Sequence, residues 1–238
     1  MDLKEIENGI NPGDHWYFRA KRKLLLNQVP LGCTHSVDVG AGSKFFSYEL
    51  AGIKTMHQVF PIDPNFDAET IETIGNCKVV SLKEQSEKTQ NSQFWVFMDV
   101  IEHVEDDLRF LKDYVNSAPK GSRFFITVPA YGFMWSNHDV FLGHFRRYTT
   151  KSLKLLVHNA GLTTISIGYF YSFLFPLAFL QRKILSRMMR SESDSSGLSK
   201  QSNVTNRIFE LILNAELRIT KGFGKMPGLT VACSAEKS

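Results

Sequence analysis

Five short apolar runs separated by helical stretches constrain the fold of this chain most strongly. The runs span residues 36–39, 58–62, 77–82, 94–98 and 123–128. Helical patterns lie between them at about 45–53 and 106–117. Continuous apolar strands that alternate with helices are typical of parallel βαβ units buried on both faces. The sequence therefore predicts a doubly wound α/β sheet, which binds ligands at the carboxyl ends of its strands.

The first strand runs into a glycine turn, Asp38-x-Gly40-x-Gly42, before the first helix. Glycines there let the backbone approach a ligand closely, and the helix offers free N–H groups. Asp63 follows the second strand, where a carboxylate can accept both ribose hydroxyls of a nucleoside. The combination favours a nucleoside-containing cofactor. The alternative is a plain turn in which Asp63 only caps a helix before Pro64.

The residues after the glycine turn indicate which kind of cofactor the turn suits. An NAD site has the pattern G-x-G-x-x-G, but Phe45 stands at the sixth place, and no GK[ST] of a P-loop is present. A ligand without phosphates, such as S-adenosylmethionine, needs only Gly40 and Gly42 close to it. Asp38 is then free to face the ammonium group of the ligand. We expect Lys44 to enter the helix and point its side chain to solvent.

From residue 130 onward, the regular alternation of apolar strands and helices gives way to a more varied pattern. Residues 130–149 form a long aromatic and polar segment, which we interpret as a lid because such loops are usually functional. Next come a helix at about 150–159, a strand at 163–170 and an apolar stretch at 169–180 with basic residues after it. A Ser-rich loop (191–203), a helix (about 204–220) and a strand (228–235) complete the chain.

Charge divides unevenly between the two parts of the chain. Residues 1–140 carry 14 basic and 19 acidic residues, a net −5, whereas 141–238 carry 14 and 5, a net +9. This indicates an anionic partner or a solvated basic face. The three cysteines are far apart, without disulfide or metal-ligand spacing, so we expect no metal site. The acidic N-terminus is not a secretory signal, and we expect a cytoplasmic protein.

Three segments read VDVGAGSKFFS, PIDPNF and FMDVIEHVEDDLRFLKDYVNSAPKGSRFFITVPA. They resemble successive motifs of the class I S-adenosylmethionine-dependent methyltransferases. HWYFRAKRKLLL (15–26) and MWSNHDVFLGHFRRYTTKSL (134–153) are similar to a bacterial subgroup related to the quinone-biosynthesis methyltransferases. The resemblance covers nearly the whole chain. It departs at Lys44, in place of a third glycine, and at Lys120-Gly121-Ser122, in place of Pro-Gly-Gly.

The resemblance implies a seven-stranded, mostly parallel methyltransferase sheet with a lid after the fifth strand. It implies a single domain over 1–238, with a cofactor-binding core (30–129), an acceptor-side lid and insert (130–203), and a closing helix and strand (204–238). It also implies that the cofactor is S-adenosylmethionine, which donates a methyl group to a small-molecule acceptor. By the same resemblance, the cofactor contacts are Asp38, Gly40, Gly42, Asp63, Leu82, Asp99 and Ile101.

Transfer of a methyl group to oxygen or carbon also needs a base, and histidine suits that role. The candidates are His103, His138 and His144. Arg146, Arg147 and Tyr148 lie beside the last two and could clamp an anionic, sugar- or isoprenoid-linked acceptor. An internal salt-bridged loop that packs over the site explains the same residues equally well. His15 and Arg19 are weaker candidates, on a helix that covers the cofactor.

Residues 169–190 allow two interpretations. The apolar part, 169–180, is too short to cross a bilayer, which takes ~20 residues, but with its basic flank it suits a membrane interface. That would place the protein peripherally at the inner face of a membrane. The alternative is a buried cover for the acceptor pocket or a homodimer contact.

Two rival functions stay open. One is an NAD-dependent oxidoreductase, and the other is a non-catalytic cofactor-binding or membrane-associated assembly subunit. We expect no nucleic-acid partner, because the chain has neither an N/D-P-P-Y/F motif nor an appended binding domain.

Overall fold

A computed structural model describes residues 10–188, 202–220 and 222–238. Its sheet has eight strands in the order β3-β4-β2-β1-β5-β6-β8-β7. The strands are β1 His35–Val39, β2 Gln58–Ile62, β3 Thr70–Ile74, β4 Cys77–Ser81, β5 Phe94–Met98, β6 Arg123–Pro129, β7 Leu162–Phe170 and β8 Thr230–Lys237. Neighbours from β4 to β6 pair in parallel, β3 is antiparallel to β4, and β8 is antiparallel to both β6 and β7. The carboxyl ends of β1, β2, β4, β5, β6 and β7 therefore share one edge of the sheet.

Seven α-helices are present in the described ranges. They are α1 Trp16–Leu26, α2 Phe45–Ala51, α3 Asp107–Ser117, α4 Asn137–Leu142, α5 Thr150–Asn159, α6 Phe175–Met188 and α7 Asn203–Thr220. Several begin at side-chain caps: Asp106 accepts a hydrogen bond from Arg109 N, and Thr149 forms a capping box with Ser152. Such caps satisfy backbone donors that the first helical turn leaves free.

Helices cover both faces of the sheet, as the wholly apolar β5 requires. Trp95 and Phe97 lie in the core on one face, with Leu111 of α3. Phe94, Val96 and Met98 point to the other face and join the core formed with α1 and α7. Successive side chains of a strand alternate between faces, so a strand that is apolar throughout must be covered on both sides.

The predicted α/β class and doubly wound sheet are confirmed, but the sheet has one strand more than predicted. The additional strand β3, TIETI, is largely exposed at the edge of the sheet. It forms a hairpin with β4 through the two-residue loop Gly75-Asn76, in which Gly75 has φ 58°. A Gly-Asn pair between two strands is a hairpin signal that our sequence analysis did not use.

Some sequence-based predictions lie outside the described residues or stay untested. Most of the Ser-rich stretch 191–203 and Arg190 at the end of 169–190 fall outside them. The division of the chain into one domain with three parts stays a prediction, although strands of the first and last parts join one sheet. Within the described ranges, no helix has the length and apolar character that crossing a bilayer requires.

Candidate active site

The glycine turn after β1 contacts the ends of the two strands that flank β1 in the sheet, β2 and β5. The N–H groups of Gly40 and Ala41 both donate to the carbonyl of Ile62, at 2.8 and 3.1 Å. Gly40 has φ 68°, and a Cβ at this position would lie 2.7 Å from a methyl group of Val100. Glycine is therefore required here by the turn after β5, whether or not a ligand is bound. From the sequence, we explained this glycine by close approach of a ligand and kept a plain turn as the alternative.

Asp63, at the end of β2, is fixed by this turn. It is buried, and its Oδ2 accepts a hydrogen bond from Gly42 N at 2.8 Å. Its Oδ1 accepts from the backbone and side-chain nitrogens of Asn65, both at 2.9 Å. Each carboxylate oxygen has two lone pairs, so Oδ2 retains one for a ligand hydroxyl.

Asp38, Leu82 and Ile101 are also buried at this edge. Asp38 lies in β1 and accepts a hydrogen bond from Ser47 of α2 at 2.6 Å. Leu82 continues β4, and its carbonyl accepts from Asp63 N. Ile101 begins a 3-10 turn after β5 and packs in the same core cluster as Leu82. The structure thus places the predicted cofactor residues on neighbouring strand ends.

Our expectation for Lys44 was wrong. Lys44 does not enter α2 in a helical conformation but caps it with φ 64°, in the left-handed region that glycine usually occupies. Its ammonium binds Glu72 Oε1 at 2.7 Å, and only 18% of its side chain is exposed. Glu72 also accepts from Tyr48, and the hydrogen bond from Lys44 is the largest factor that lowers the pKa of Glu72. The unpredicted strand β3 supplies this partner.

Asp99, just after β5, contacts three side chains from other elements. Its Oδ1 accepts from Thr127 at 2.8 Å, and its Oδ2 accepts from the hydroxyl of Tyr17 at 3.1 Å. Oδ2 also forms an ion pair with Lys21, whose side chain is completely buried. Tyr17 stacks on Tyr171. Helix α1 is thereby attached to the end of β5.

A role for His15 and Arg19 beside the cofactor stays a prediction. His15 caps the helix, and Arg19 is paired with Glu210 of α7, away from Asp99. Tyr17 and Lys21 are the residues that reach the edge. They lie four positions apart, so one helical face carries both. The available signal was a tyrosine and a lysine at helical spacing on one face of α1.

Four non-glycine residues have positive φ in the described ranges, and all lie in loops at this edge. They are Lys44 after β1, Asp99 after β5, Tyr131 after β6 and Tyr171 after β7, with φ from 54° to 64°. Such conformations cost free energy and cluster at functional sites. Their common location marks the carboxyl edge as the candidate site.

Asp139 organises the segment 130–149. This carboxylate is completely buried and accepts hydrogen bonds from Ser136 N at 2.8 Å and Ser136 Oγ at 3.0 Å. It also contacts His144 Nδ1 at 2.9 Å and both forks of the Arg147 guanidinium at 2.7 and 3.0 Å. Burial raises the pKa of Asp139, but the contacts with His144 and Arg147 outweigh it and hold that pKa well below its usual range.

Arg146 and Tyr148 bind α3. Arg146 pairs with Asp107 at 3.0 Å and donates to the carbonyl of Glu105. The buried Tyr148 donates to Asp107 at 2.7 Å. These contacts, with those of Arg147, form the internal network that the sequence analysis kept as its second interpretation. An acceptor contact through the same residues stays a prediction.

Glu102, His103 and His144 meet where the segment 130–149, the predicted lid, crosses the 3-10 turn Ile101–His103. The rings of His103 and His144 lie 4.6 Å apart at an interplanar angle of 81°. Phe145 N donates to the carbonyl of Glu102, which ties the lid to the turn. The Glu102 side chain is completely buried, and this burial raises its pKa to about 8. Glu102 was not among the site residues predicted from the sequence.

His138 lies on α4, apart from this pair of histidines. Burial lowers its pKa to about 4 against an ordinary 6.5, which leaves it neutral near pH 7. A group with so low a pKa is a weak general base, because catalytic bases are most effective with a pKa near the working pH.

The shift of His138 predicts a pH dependence of stability. Between about pH 4 and 6.5 the unfolded chain binds a proton at His138 that the folded chain does not. Stability should therefore fall as the pH falls through that window, with a slope of up to about 1.4 kcal/mol per pH unit from this group. We expect His138→Gln to remove this slope in urea unfolding, whereas exposed His158→Gln should keep it. Equal slopes in wild type and His138→Gln would contradict the burial of a neutral histidine.

Comparisons with known proteins point to one fold. The architecture matches many solved structures, including an S-adenosylmethionine-dependent methyltransferase from Archaeoglobus fulgidus (16% identity, TM-score 0.52, covering 92% of this chain and 91% of that one). The chain has the class I methyltransferase fold. Phosphoethanolamine N-methyltransferase 2 of Haemonchus contortus, solved with S-adenosyl-L-methionine, matches at 11% identity and a TM-score of 0.55, over 92% of this chain and 52% of that one.

The same fold also occurs in a protein named for another reaction. The cyclase SpnF matches at 12% identity and a TM-score of 0.53, over 91% of this chain and 79% of that one. No family model and no curated protein matches the sequence. The comparisons therefore show the methyltransferase fold. Because one fold can host several reactions, the residues of the site determine the function.

Proposed function

We propose that this protein binds S-adenosylmethionine and transfers its methyl group to a small-molecule acceptor. The observation that carries the proposal is the buried carboxylate of Asp63, bound to Gly42 N at the carboxyl edge of a methyltransferase-fold sheet. A carboxylate so placed can accept a ribose hydroxyl through Oδ2 while the glycine turn passes the methionine end. The likeness to S-adenosylmethionine-dependent methyltransferases supports this choice of cofactor.

The turn favours this cofactor over a dinucleotide. The third glycine of a dinucleotide site permits close packing of helix and strand beside the pyrophosphate. Here Lys44 stands near that place, and its charge is paired with Glu72. In the proposed complex, Asp38, Gly40 and Gly42 line the methionine part and Leu82 flanks the adenine. Asp99 and Ile101 lie toward the sulfonium end.

The segment 130–149 is proposed to cover the acceptor. Methyl transfer is an in-line displacement, so alignment of the reactants and exclusion of water supply much of the rate. His103 and His144 lie together beside the turn after β5, which favours them over His138 as proton acceptors. Arg146, Arg147 and Tyr148 hold the lid through Asp107 and Asp139. The +9 charge of residues 141–238 supports an anionic acceptor, sugar- or isoprenoid-linked.

We also propose that the region after β7 contacts either a membrane surface or a second copy of this chain. Phe173, Leu177 and Leu180 are 38–59% exposed there. Exposed apolar residues beside basic ones suit an interfacial helix, and an apolar face also suits a homodimer.

Replacement of Asp63 tests the cofactor site. Asp63→Ala removes the carboxylate proposed for the ribose, so we expect the affinity for S-adenosylmethionine to fall by about 1–3 kcal/mol, or roughly 5–150-fold. Isothermal titration calorimetry measures this. Asp67→Ala is the control, because Asp67 is exposed just beyond the same strand. Unchanged affinity in a folded Asp63→Ala variant would show that another acid holds the ribose.

A further inference from the structure

We infer that Glu102, His103 and His144 form a binding site for a divalent transition-metal ion. One ligand atom from each residue lies within 4.8 Å of the other two. Glu102 and His103 come from the 3-10 turn after β5, whereas His144 comes from the lid, immediately after α4 and Gly143. The site thus joins the lid to the strand end, and it goes beyond the proposed methyl transfer. With an ion bound, His103 and His144 are ligands and no longer proton acceptors. The site also differs from our sequence-based expectation that no metal site exists.

The state of the Glu102 side chain is the independent observation in favour of a cation. Glu102 is completely buried, yet neither carboxylate oxygen accepts a hydrogen bond from another residue within the part of the chain that the structure describes. Leaving a buried polar group without a hydrogen-bond partner costs free energy. A divalent ion between Glu102 and the histidines would supply the missing partner.

The contacts around His144 match those of a metal ligand. Its Nδ1 lies 2.9 Å from Asp139 Oδ1, which leaves Nε2 as the coordinating nitrogen. Histidine ligands commonly donate their other ring N–H to a carboxylate, which fixes the tautomer and the ring orientation. Asp139 is held in turn by Arg147 and Ser136, so this second layer is rigid.

The ligand set selects the class of metal. Two imidazoles and one carboxylate suit Zn²⁺, Co²⁺, Ni²⁺, Fe²⁺ or Mn²⁺ better than Ca²⁺ or Mg²⁺, which prefer oxygen ligands throughout. With metal–ligand distances of about 2.0–2.2 Å, the three atoms must approach one another by roughly an ångström. Three protein ligands also leave a coordination position open to water or to another molecule.

Cobalt is a suitable probe because its visible absorption reports nitrogen and oxygen ligation. We would titrate the chelator-treated, tag-free full chain with Co²⁺ alone, followed by competition with Zn²⁺. We expect saturation at a single ion per chain. Glu102→Gln and His103→Ala should each weaken binding by about 10-fold or more, by analogy with the loss that follows removal of outer-shell partners. His158→Ala is the matched control, because this histidine is exposed on α5.

Two outcomes would overturn the inference. One is the absence of saturable Co²⁺ binding in the wild type, and the other is equal affinity in the wild type and the folded Glu102→Gln and His103→Ala variants. Thermal unfolding checks that each variant is folded, and two variants guard against the failure of one. Calorimetry with S-adenosylmethionine on the same metal-free samples separates the proposals. Cofactor binding without Co²⁺ binding would refute only the metal site.

Discussion

Asp99→Ala should lower the free energy of unfolding by about 3–5 kcal/mol. The variant removes the acidic partner of the completely buried Lys21 and leaves its ammonium in a low-dielectric site. It also removes the acceptor for Thr127 and Tyr17, at 2.8 and 3.1 Å. Removing one member of a buried ion pair costs much more than the pair contributes, because the remaining charge is not compensated.

Lys21→Met is the informative companion variant. Methionine is unbranched and fills irregular apolar space, while Asp99 keeps its hydrogen bonds from Tyr17 and Thr127. We therefore expect a clearly smaller loss than for Asp99→Ala when both are measured by urea unfolding. A loss below about 1 kcal/mol for Asp99→Ala would contradict the buried pair between α1 and β5.

Asp139→Ala should be comparably disruptive, with a fall in Tm of roughly 6–20 °C for a loss of about 3–5 kcal/mol. The substitution leaves Arg147, only 5% exposed, without its carboxylate. It also removes the acceptor of the Ser136 capping box at the start of α4. Scanning calorimetry measures the change directly.

The control for Asp139 is an aspartate of the same type on the surface. Asp113 is exposed on α3, so Asp113→Ala should stay within about 0.5 kcal/mol of the wild type. If Asp139→Ala behaved like Asp113→Ala, the segment 130–149 would not depend on the network that the structure shows.

The sequence predicted the sheet well where its strands are buried. β2 and β5 were predicted with their observed bounds, because apolar runs flanked by polar turns have few other structures available to them. β3 was missed because its alternating TIETI pattern is short and exposed at an edge. That omission also explains the error at Lys44, since Glu72 of β3 is its partner. A single sequence does not show which distant strand will lie beside a turn.

The candidate site likewise contains residues that the sequence predicted and residues that it did not. Asp38, the two glycines and Asp63 come from one βαβ unit, and the structure brings them to one edge as predicted. Lys21 and Glu102 were not given roles, because a buried lysine and a buried glutamate look like surface residues in sequence. Their significance comes from contacts made across the fold, with Asp99 in one case and beside the histidines in the other.

Isothermal titration calorimetry with S-adenosylmethionine, S-adenosylhomocysteine and NAD tests the central proposal most directly. We predict that the full chain binds the first two ligands with dissociation constants in the micromolar range and does not bind NAD. Binding of NAD alone would indicate an oxidoreductase instead. An absence of S-adenosylmethionine binding by the folded protein would contradict the proposed function.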